Sequence, residues 1–243
     1  MRRLAIFVEG YTELLFVDRI IREIAAKNQI AIHLRQIRGG GRSGKVPRTY
    51  LEIRIPKVVK DESLYVLIVD CAGDSLVPQR IREEHASLTK AGYEKIIGLR
   101  DVYPKFTKAD IPKLLERMKY AIKTSLAPVQ FILSVMEIEA WFLAEHNHFP
   151  LVDAAITVEA IRTLLRFDPE SDDMSDRPEP TCDMVAAYGI GGKVYEKGAA
   201  ECTIDKLDYD YVYMVLRDRI PGLAELLDTI DGFLMLERHP NHL

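Results

Sequence analysis

The chain has 243 residues, 48% of them hydrophobic and 29% charged, which are the proportions of an ordinary folded globular protein. Its formal net charge of −4 does not indicate nucleic-acid binding. It does not exclude such binding, because a nuclease can concentrate carboxylates at a metal site and cluster its basic residues elsewhere on the surface. Three widely spaced cysteines exclude a zinc knuckle and a disulfide framework and favour a reducing cytoplasm, and no apolar run is long enough to span a membrane.

Strands and helices are predicted to alternate through the first part of the chain. Short apolar or alternating runs predict five strands, at residues 3–8, 30–37, 64–69, 93–99 and 129–136. Helical spacing of apolar residues predicts helices at residues 12–27, 77–91 and 110–125, and a further short helix at 48–60. This order is typical of an α/β fold, in which a mostly parallel sheet is flanked by helices.

The composition changes after about residue 145. Residues 168–180 combine three prolines with many acids and are expected to form a loop or lid, whereas residues 208–234 are expected to be helical. We therefore predict two domains: a core of residues 1–145 and a mainly helical C-terminal extension of residues 146–243.

Acidic residues follow most of the predicted strands. They are Glu9, Asp70, Asp101 and the pair Glu137 and Glu139. Taken singly, each has an ordinary interpretation as a solvated loop residue or a helix cap. Taken together, acids at the carboxyl ends of parallel strands converge on one edge, where their mutual repulsion calls for a cation. Ligands that offer only oxygen favour Mg²⁺ or Mn²⁺ over zinc.

Two of these segments resemble the Toprim family of metal-dependent enzymes. Val8-Glu9-Gly10-Tyr11-Thr12-Glu13 is similar to the first Toprim motif, in which a glutamate ends a strand and a second acid lies four residues later. Residues 67–75 resemble the second motif, Asp-x-Asp after an apolar strand, except that Ala72 stands at the second position and the next acid is Asp74. Residues 138–143 and 191–197 resemble segments of small Toprim-like proteins of prokaryotic defence loci, related to the overcoming-lysogenization-defect (OLD) nucleases.

The resemblance implies a Toprim-like core that uses Mg²⁺ or Mn²⁺ to cleave DNA or RNA. Glu9, Asp70 and Asp74 would bind metal, and Glu13 and Glu139 would bind a second ion or act as the general base. Lys197 would contact the scissile phosphate or the leaving oxygen. The residues expected to touch the nucleic-acid backbone are basic, namely Arg38, Arg42 and Lys45. The resemblance also implies a cytoplasmic antiphage-defence effector with an ABC-type ATPase partner, and it leaves open a homodimer.

Two other functions remain open from the sequence. The loop Gly39–Lys45 fits a phosphate-binding loop except that Val46 replaces the Ser or Thr that would bind Mg²⁺, so a GTP-binding switch is one alternative. Two later fragments, Asp70-Cys71-Ala72-Gly73 and Thr107-Lys108-Ala109-Asp110, fit that alternative in order. The other is a binding module that keeps the Toprim-like fold with a degraded site, which Ala72 favours.

Overall fold

The structure is a computed structural model that describes residues 1–26, 29–40, 46–57, 64–73 and 76–235. Its centre is a six-stranded sheet of order β3-β2-β4-β1-β5-β6. The strands, in chain order from β1 to β6, are Arg2–Val8, Ile30–Arg38, Thr49–Arg54, Leu64–Asp70, Lys95–Asp101 and Val129–Ser134.

Parallel pairing dominates the sheet, as the sequence predicted. Strand β1 pairs in parallel with β4 and β5, and β2 pairs in parallel with β4, whereas β3 runs antiparallel to β2 at the edge. The central strands are apolar because both of their faces are covered; in β1, residues 4–8 are fully buried. The α/β class with a helical C-terminal region is therefore confirmed.

Eleven α-helices occur among the described residues. In chain order from α1 to α11 they are Tyr11–Ala25, Val77–Lys90, Ile111–Lys119, Glu139–Ala144, Phe149–Val152, Val158–Leu165, Pro180–Ile190, Glu201–Ile204, Tyr209–Tyr211, Arg217–Arg219 and Pro221–Met235. Short 3-10 turns lie at Lys108–Asp110, His146–His148 and Met174–Asp176, and a π-helical turn lies at Val212–Leu216. Within the described residues, no helix has the length and hydropathy of a membrane span.

Two predicted helices differ from the structure. The residues 49–54 of the helix expected at 48–60 form the edge strand β3, whose side chains are mostly exposed. The helix expected at 208–234 is interrupted at Ile220, which is extended (φ −119°, ψ 101°). Pro221 follows, and a proline disfavours helical geometry in the residue before it. The C-terminal region is therefore a series of short helices followed by α11.

The chain divides into two compact units. Unit 1 comprises residues 1–100, 118–132 and 225–243, and unit 2 comprises residues 101–117 and 133–224. The domain boundary predicted after residue 145 therefore falls inside unit 2, and the end of the predicted extension belongs to unit 1. In unit 1, α1 packs against β4 and α2 against β1; in unit 2, α7 packs against α4 and α6.

Candidate functional site

The ends of β1 and β4 lie side by side in unit 1. Val8 is aligned with Asp70 in the parallel register. Beyond the strands, the amide of Cys71 donates to the carbonyl of Val8 (2.9 Å) and the amide of Gly73 donates to the carbonyl of Glu9 (2.9 Å). These backbone bonds fix Glu9 and Asp70 at the carboxyl ends of two neighbouring strands, where the sequence placed them.

Glu9 and Glu13 are both buried at the junction between β1 and α1. Gly10 precedes the first helical turn, and a Cβ at that position would lie 3.2 Å from Oε2 of Glu13. The Glu13 carboxylate therefore folds back over the end of β1, which is the orientation expected from its place in the first turn. The Arg100 guanidinium Nε lies 3.5 Å from Oε1 of Glu9 and supplies a buried positive charge there.

Asp70 is held from two sides. Its Oδ2 accepts a hydrogen bond from Nε2 of Gln36 (2.6 Å), and its Oδ1 accepts one from the amide of Ala72 (2.7 Å). Burial raises the pKa of Asp70 above its ordinary value, and these two hydrogen bonds oppose the rise. Arg38 is exposed and donates from Nε to Oε1 of Gln36 (2.8 Å), so one side chain links it to Asp70.

Three of the other predicted site residues lie outside the described residues. They are Asp74, Arg42 and Lys45. Because Asp74 is among them, only Ala72 can be described at the point where this chain departs from the Asp-x-Asp pattern. Ala72 has φ 57°, in the left-handed region that few non-glycine residues adopt.

Unit 2 contains a buried cluster of three carboxylates, which we call the acidic triad: Asp101, Glu137 and Glu139. One oxygen from each lies within 4.8 Å of the others. Asp101 is the last residue of β5, Glu137 follows β6, and Glu139 begins α4. The amide of Val102 donates to the carbonyl of Ser134 (3.1 Å) just beyond the strands, which brings the segments after β5 and β6 together.

Each carboxylate of the acidic triad has one oxygen held by a neighbouring donor. Oδ1 of Asp101 accepts from the Ser134 hydroxyl, which is fully buried. Oε2 of Glu137 accepts from the amide of Thr181 (3.0 Å), and Oε1 of Glu139 accepts from the Tyr195 hydroxyl (2.9 Å). These donors fix the rotamers of the acids.

The second oxygen of each carboxylate faces the ammonium of Lys197. The distances from Nζ are 3.3 Å to Oδ2 of Asp101, 3.1 Å to Oε1 of Glu137 and 3.2 Å to Oε2 of Glu139. Burial raises the pKa of Asp101 to about 7 despite the opposing charge of Lys197, and the neighbouring charge of Glu139 adds to the rise. When all three carboxylates of the acidic triad are ionised, their negative charge exceeds the single positive charge of Lys197.

A strained backbone position lies between β6 and the acidic triad. Met136 has φ 67°, and its carbonyl accepts a hydrogen bond from the amide of Tyr103 (2.8 Å). Positive φ is costly for a residue with a side chain and persists where surrounding contacts enforce it. Here it turns the chain out of β6 so that Glu137 and Glu139 follow within three residues.

The structure brings together two residues predicted for the site, Glu139 and Lys197. The sequence counted Asp101 and Glu137 among the strand-end acids that call for a cation, but the resemblance gave them no individual role. Ser134 and Thr181 were not identified as supporting donors, and Tyr195 was noted only as part of a segment that resembles Toprim-like proteins. The Tyr195-Glu196-Lys197 segment was the signal available for Tyr195, since the side chains of Tyr195 and Lys197 reach the same carboxylate. Glu9, Glu13 and Asp70 lie in unit 1.

The phosphate-binding loop of the GTP alternative is only partly described, because residues 41–45 lie outside the described ranges. The carbonyls of Gly39 and Gly40 both accept from the guanidinium of Arg80 (2.6 and 3.4 Å). The next described element is strand β3, whereas a phosphate-binding loop leads into a helix whose N-terminus faces the phosphates. This arrangement disfavours a GTP-binding switch.

One family model matches the chain, over residues 8–181, and it describes a domain of unknown function (DUF4276). That range includes the carboxylates of unit 1 and the acidic triad but ends before Tyr195 and Lys197. No curated protein and no solved structure matches the chain. Because the match covers well over half of its length, the chain belongs to the DUF4276 family.

Proposed function

We propose that this protein is a Mg²⁺- or Mn²⁺-dependent nuclease that hydrolyses phosphodiester bonds in DNA or RNA. The observation that carries the proposal is the acidic triad: three buried carboxylates, each with one oxygen tied back and the other turned toward a common point occupied by an ammonium. Buried acids that repel one another are costly unless a cation compensates them, so three such acids around one ammonium favour a cation-dependent function.

The donor set fits a hard divalent cation. All of its candidate ligand atoms are carboxylate oxygens, which suit Mg²⁺ and Mn²⁺, and no cysteine or histidine is part of the acidic triad. In unit 1, Glu9, Glu13 and Asp70 offer further carboxylate oxygens of the same kind. Divalent ions held by such ligands increase the acidity of water and neutralise charge on a leaving oxygen.

The residues of this chain have separable roles in that reaction. Ser134, Thr181 and Tyr195 orient the carboxylates before any ion or substrate binds, which preorganises the site. Glu13 or Glu139 would accept the proton of the attacking water as general base. Lys197 would place its positive charge against a phosphate oxygen, where it stabilises the charge that develops in the transition state.

Several parts of the proposal rest on the resemblance to Toprim-like defence proteins alone. They are contact of Arg38, Arg42 and Lys45 with the nucleic-acid backbone, a cytoplasmic role in antiphage defence, and an ABC-type ATPase as partner. The resemblance of short sequence segments supports these parts, and the geometry of the carboxylates does not bear on them.

The test is a cleavage panel with purified protein on DNA, tRNA and rRNA, with Mg²⁺, with Mn²⁺ and with chelator. We expect ion-dependent cleavage, and we expect Glu139→Gln to reduce it by at least roughly 100-fold. Mutating a residue that only hydrogen-bonds to a metal ligand already lowers metal affinity or activity by about 10–100-fold. Glu9→Ala should reduce cleavage as well. Glu170→Gln, at an exposed acid of unit 2, is the matched control and should cut like the wild type.

Two outcomes would contradict the proposal. One is that no substrate is cut with either ion, and the other is that Glu139→Gln retains full activity. Calorimetry with Mn²⁺ distinguishes the nuclease from a binding module with a degraded site, because a degraded site would bind no ion. A nucleotide titration tests the GTP alternative, which requires affinity that Lys45→Ala abolishes and Glu9→Ala leaves intact.

A further inference from the structure

Lys197 occupies the position in the acidic triad toward which the carboxylate oxygens point. Its Nζ lies 3.1–3.3 Å from one oxygen of each acid, while the other three oxygens are bound by Ser134, Thr181 and Tyr195. Oε2 of Glu139 is buried and accepts no hydrogen bond in the described structure, so its interaction with Lys197 is ionic. One ammonium thus serves as counter-ion to three carboxylates.

A divalent cation that used the same three oxygens would have to approach the point where Nζ now lies. The ion and the ammonium of Lys197 are both positively charged and would repel each other there, and in a buried environment this repulsion is weakly screened. The carboxylates themselves are held in place, because the oxygen of each that does not face Lys197 accepts a hydrogen bond from Ser134, Thr181 or Tyr195. The lysine is therefore the group that must move.

We propose that the Lys197 ammonium and a divalent cation occupy the acidic triad alternately, so that binding of the ion expels the lysine from it. The inference rests on the proposed metal site and adds to it a role for Lys197 in the ion-free state. In that state Lys197 neutralises part of the buried charge and keeps the carboxylates in place. The ion is bound in exchange for the ammonium.

The surroundings of Lys197 permit this movement. About 37% of its side chain is exposed, in contrast to the buried acids that it contacts. It belongs to the segment between α7 and α8, and the next residue, Gly198, has φ 92° with no atom within 4 Å of its would-be Cβ. A long flexible stem beside an open, glycine-containing segment allows the ammonium to leave without disturbing α4 or β5.

Exchange has two consequences for binding and for the proposed reaction. The ion competes with an internal cation, so the measured affinity is lower than the carboxylates alone would give. The expelled ammonium remains tethered near the acidic triad and becomes available to an anionic phosphate group only after the ion is in place. Lysine and ion therefore act in a fixed order.

The first test measures Mn²⁺ affinity by calorimetry for the wild type, Lys197→Met and Lys193→Met. Methionine keeps the unbranched stem and removes the charge. Lys193 is the matched control, since it lies in the same segment but pairs with Asp153 (3.4 Å). We expect Lys197→Met to bind Mn²⁺ at least about tenfold more tightly than the wild type, because no ammonium has to be displaced. Lys193→Met should bind like the wild type.

A second measurement uses the wild type alone and so does not depend on the folding of a variant. Acylation of lysines by an amine-reactive reagent is followed by mass spectrometry with and without Mn²⁺. We expect the labelling rate of Lys197 to rise when Mn²⁺ is added while that of Lys193 stays constant. Labelling of Lys197 that is unchanged or slower with saturating Mn²⁺ would overturn the exchange, as would equal or weaker Mn²⁺ binding by Lys197→Met.

The exchange and the proposed nuclease activity can fail separately. If nothing is cut but Mn²⁺ binds and releases Lys197 for labelling, the exchange stands and the nuclease proposal falls. If the wild type cuts nucleic acid with Mn²⁺ while Lys197 labelling does not respond to the ion, the nuclease proposal stands and the exchange falls.

Discussion

Replacing Tyr195 by phenylalanine isolates one hydrogen bond of the acidic triad. The ring is about 4% exposed and packs edge-on against Tyr188, with centroids 5.5 Å apart, so the substitution keeps the packing. It removes the hydroxyl that donates to Oε1 of Glu139 over 2.9 Å. Glu139 is completely buried. A hydrogen bond to a charged group contributes about 1.5–3 kcal/mol, and we expect Tyr195→Phe to lower the free energy of unfolding by that amount.

The same change should weaken ion binding. Without the Tyr195 hydroxyl, Glu139 loses the donor that sets its orientation, and supporting residues of this kind are worth about 10–100-fold in metal affinity. Tyr188→Phe is the matched control, because its buried hydroxyl pairs with the neutral Thr203 hydroxyl (2.7 Å). It should cost about 1 kcal/mol of stability and leave Mn²⁺ affinity unchanged. Urea unfolding and calorimetry measure both quantities; equal Mn²⁺ affinities for the two variants would refute the reasoning.

Two further predictions concern the strand that carries Asp101 and the pH dependence of stability. A Cβ on Gly98 of β5 would lie 2.8 Å from both Cδ1 of Ile81 and Cδ1 of Phe131. Gly98→Ala should therefore lower the free energy of unfolding, measured with urea, by about 1–3 kcal/mol, and an unchanged value would contradict this packing. Burial raises the pKa of Asp101 from 3.8 to about 7, so between these values the folded, ion-free protein holds a proton that the unfolded chain releases. Its free energy of unfolding should therefore fall as the pH rises from about 4 to about 7, and the fall should be smaller in Asp101→Asn. If the free energies of unfolding of the wild type and Asp101→Asn change equally with pH in the presence of chelator, Asp101 does not cause the pH dependence.

The parallel part of the fold could be predicted because its strands are continuous apolar runs. Strands β1 and β4 are buried on both faces, and their ends are marked by Glu9 and Asp70. Strand β3 was missed for the opposite reason. It is an edge strand with mostly exposed side chains, and the pattern of apolar residues reveals a strand only where at least one of its faces is buried.

The acidic triad could be predicted only in part because it is a tertiary feature. Glu139 and Lys197 were assigned from short segments that resemble known ones. Their grouping with Asp101 depends on the chain returning to the same place after 96 residues, and no local pattern encodes that return. The donors from Ser134 and from the amide of Thr181 are of types too common in sequences to stand out.

Ala72 has a consequence for how such a site can change during evolution. Its left-handed backbone, with φ 57°, is tolerated better by aspartate and asparagine than by alanine. The backbone of the turn after β4 thus already suits the residue that the Asp-x-Asp pattern would place there. A lineage could acquire or discard the second aspartate by one substitution without remodelling the turn, so the carboxylate content of this strand end can drift while the fold stays constant.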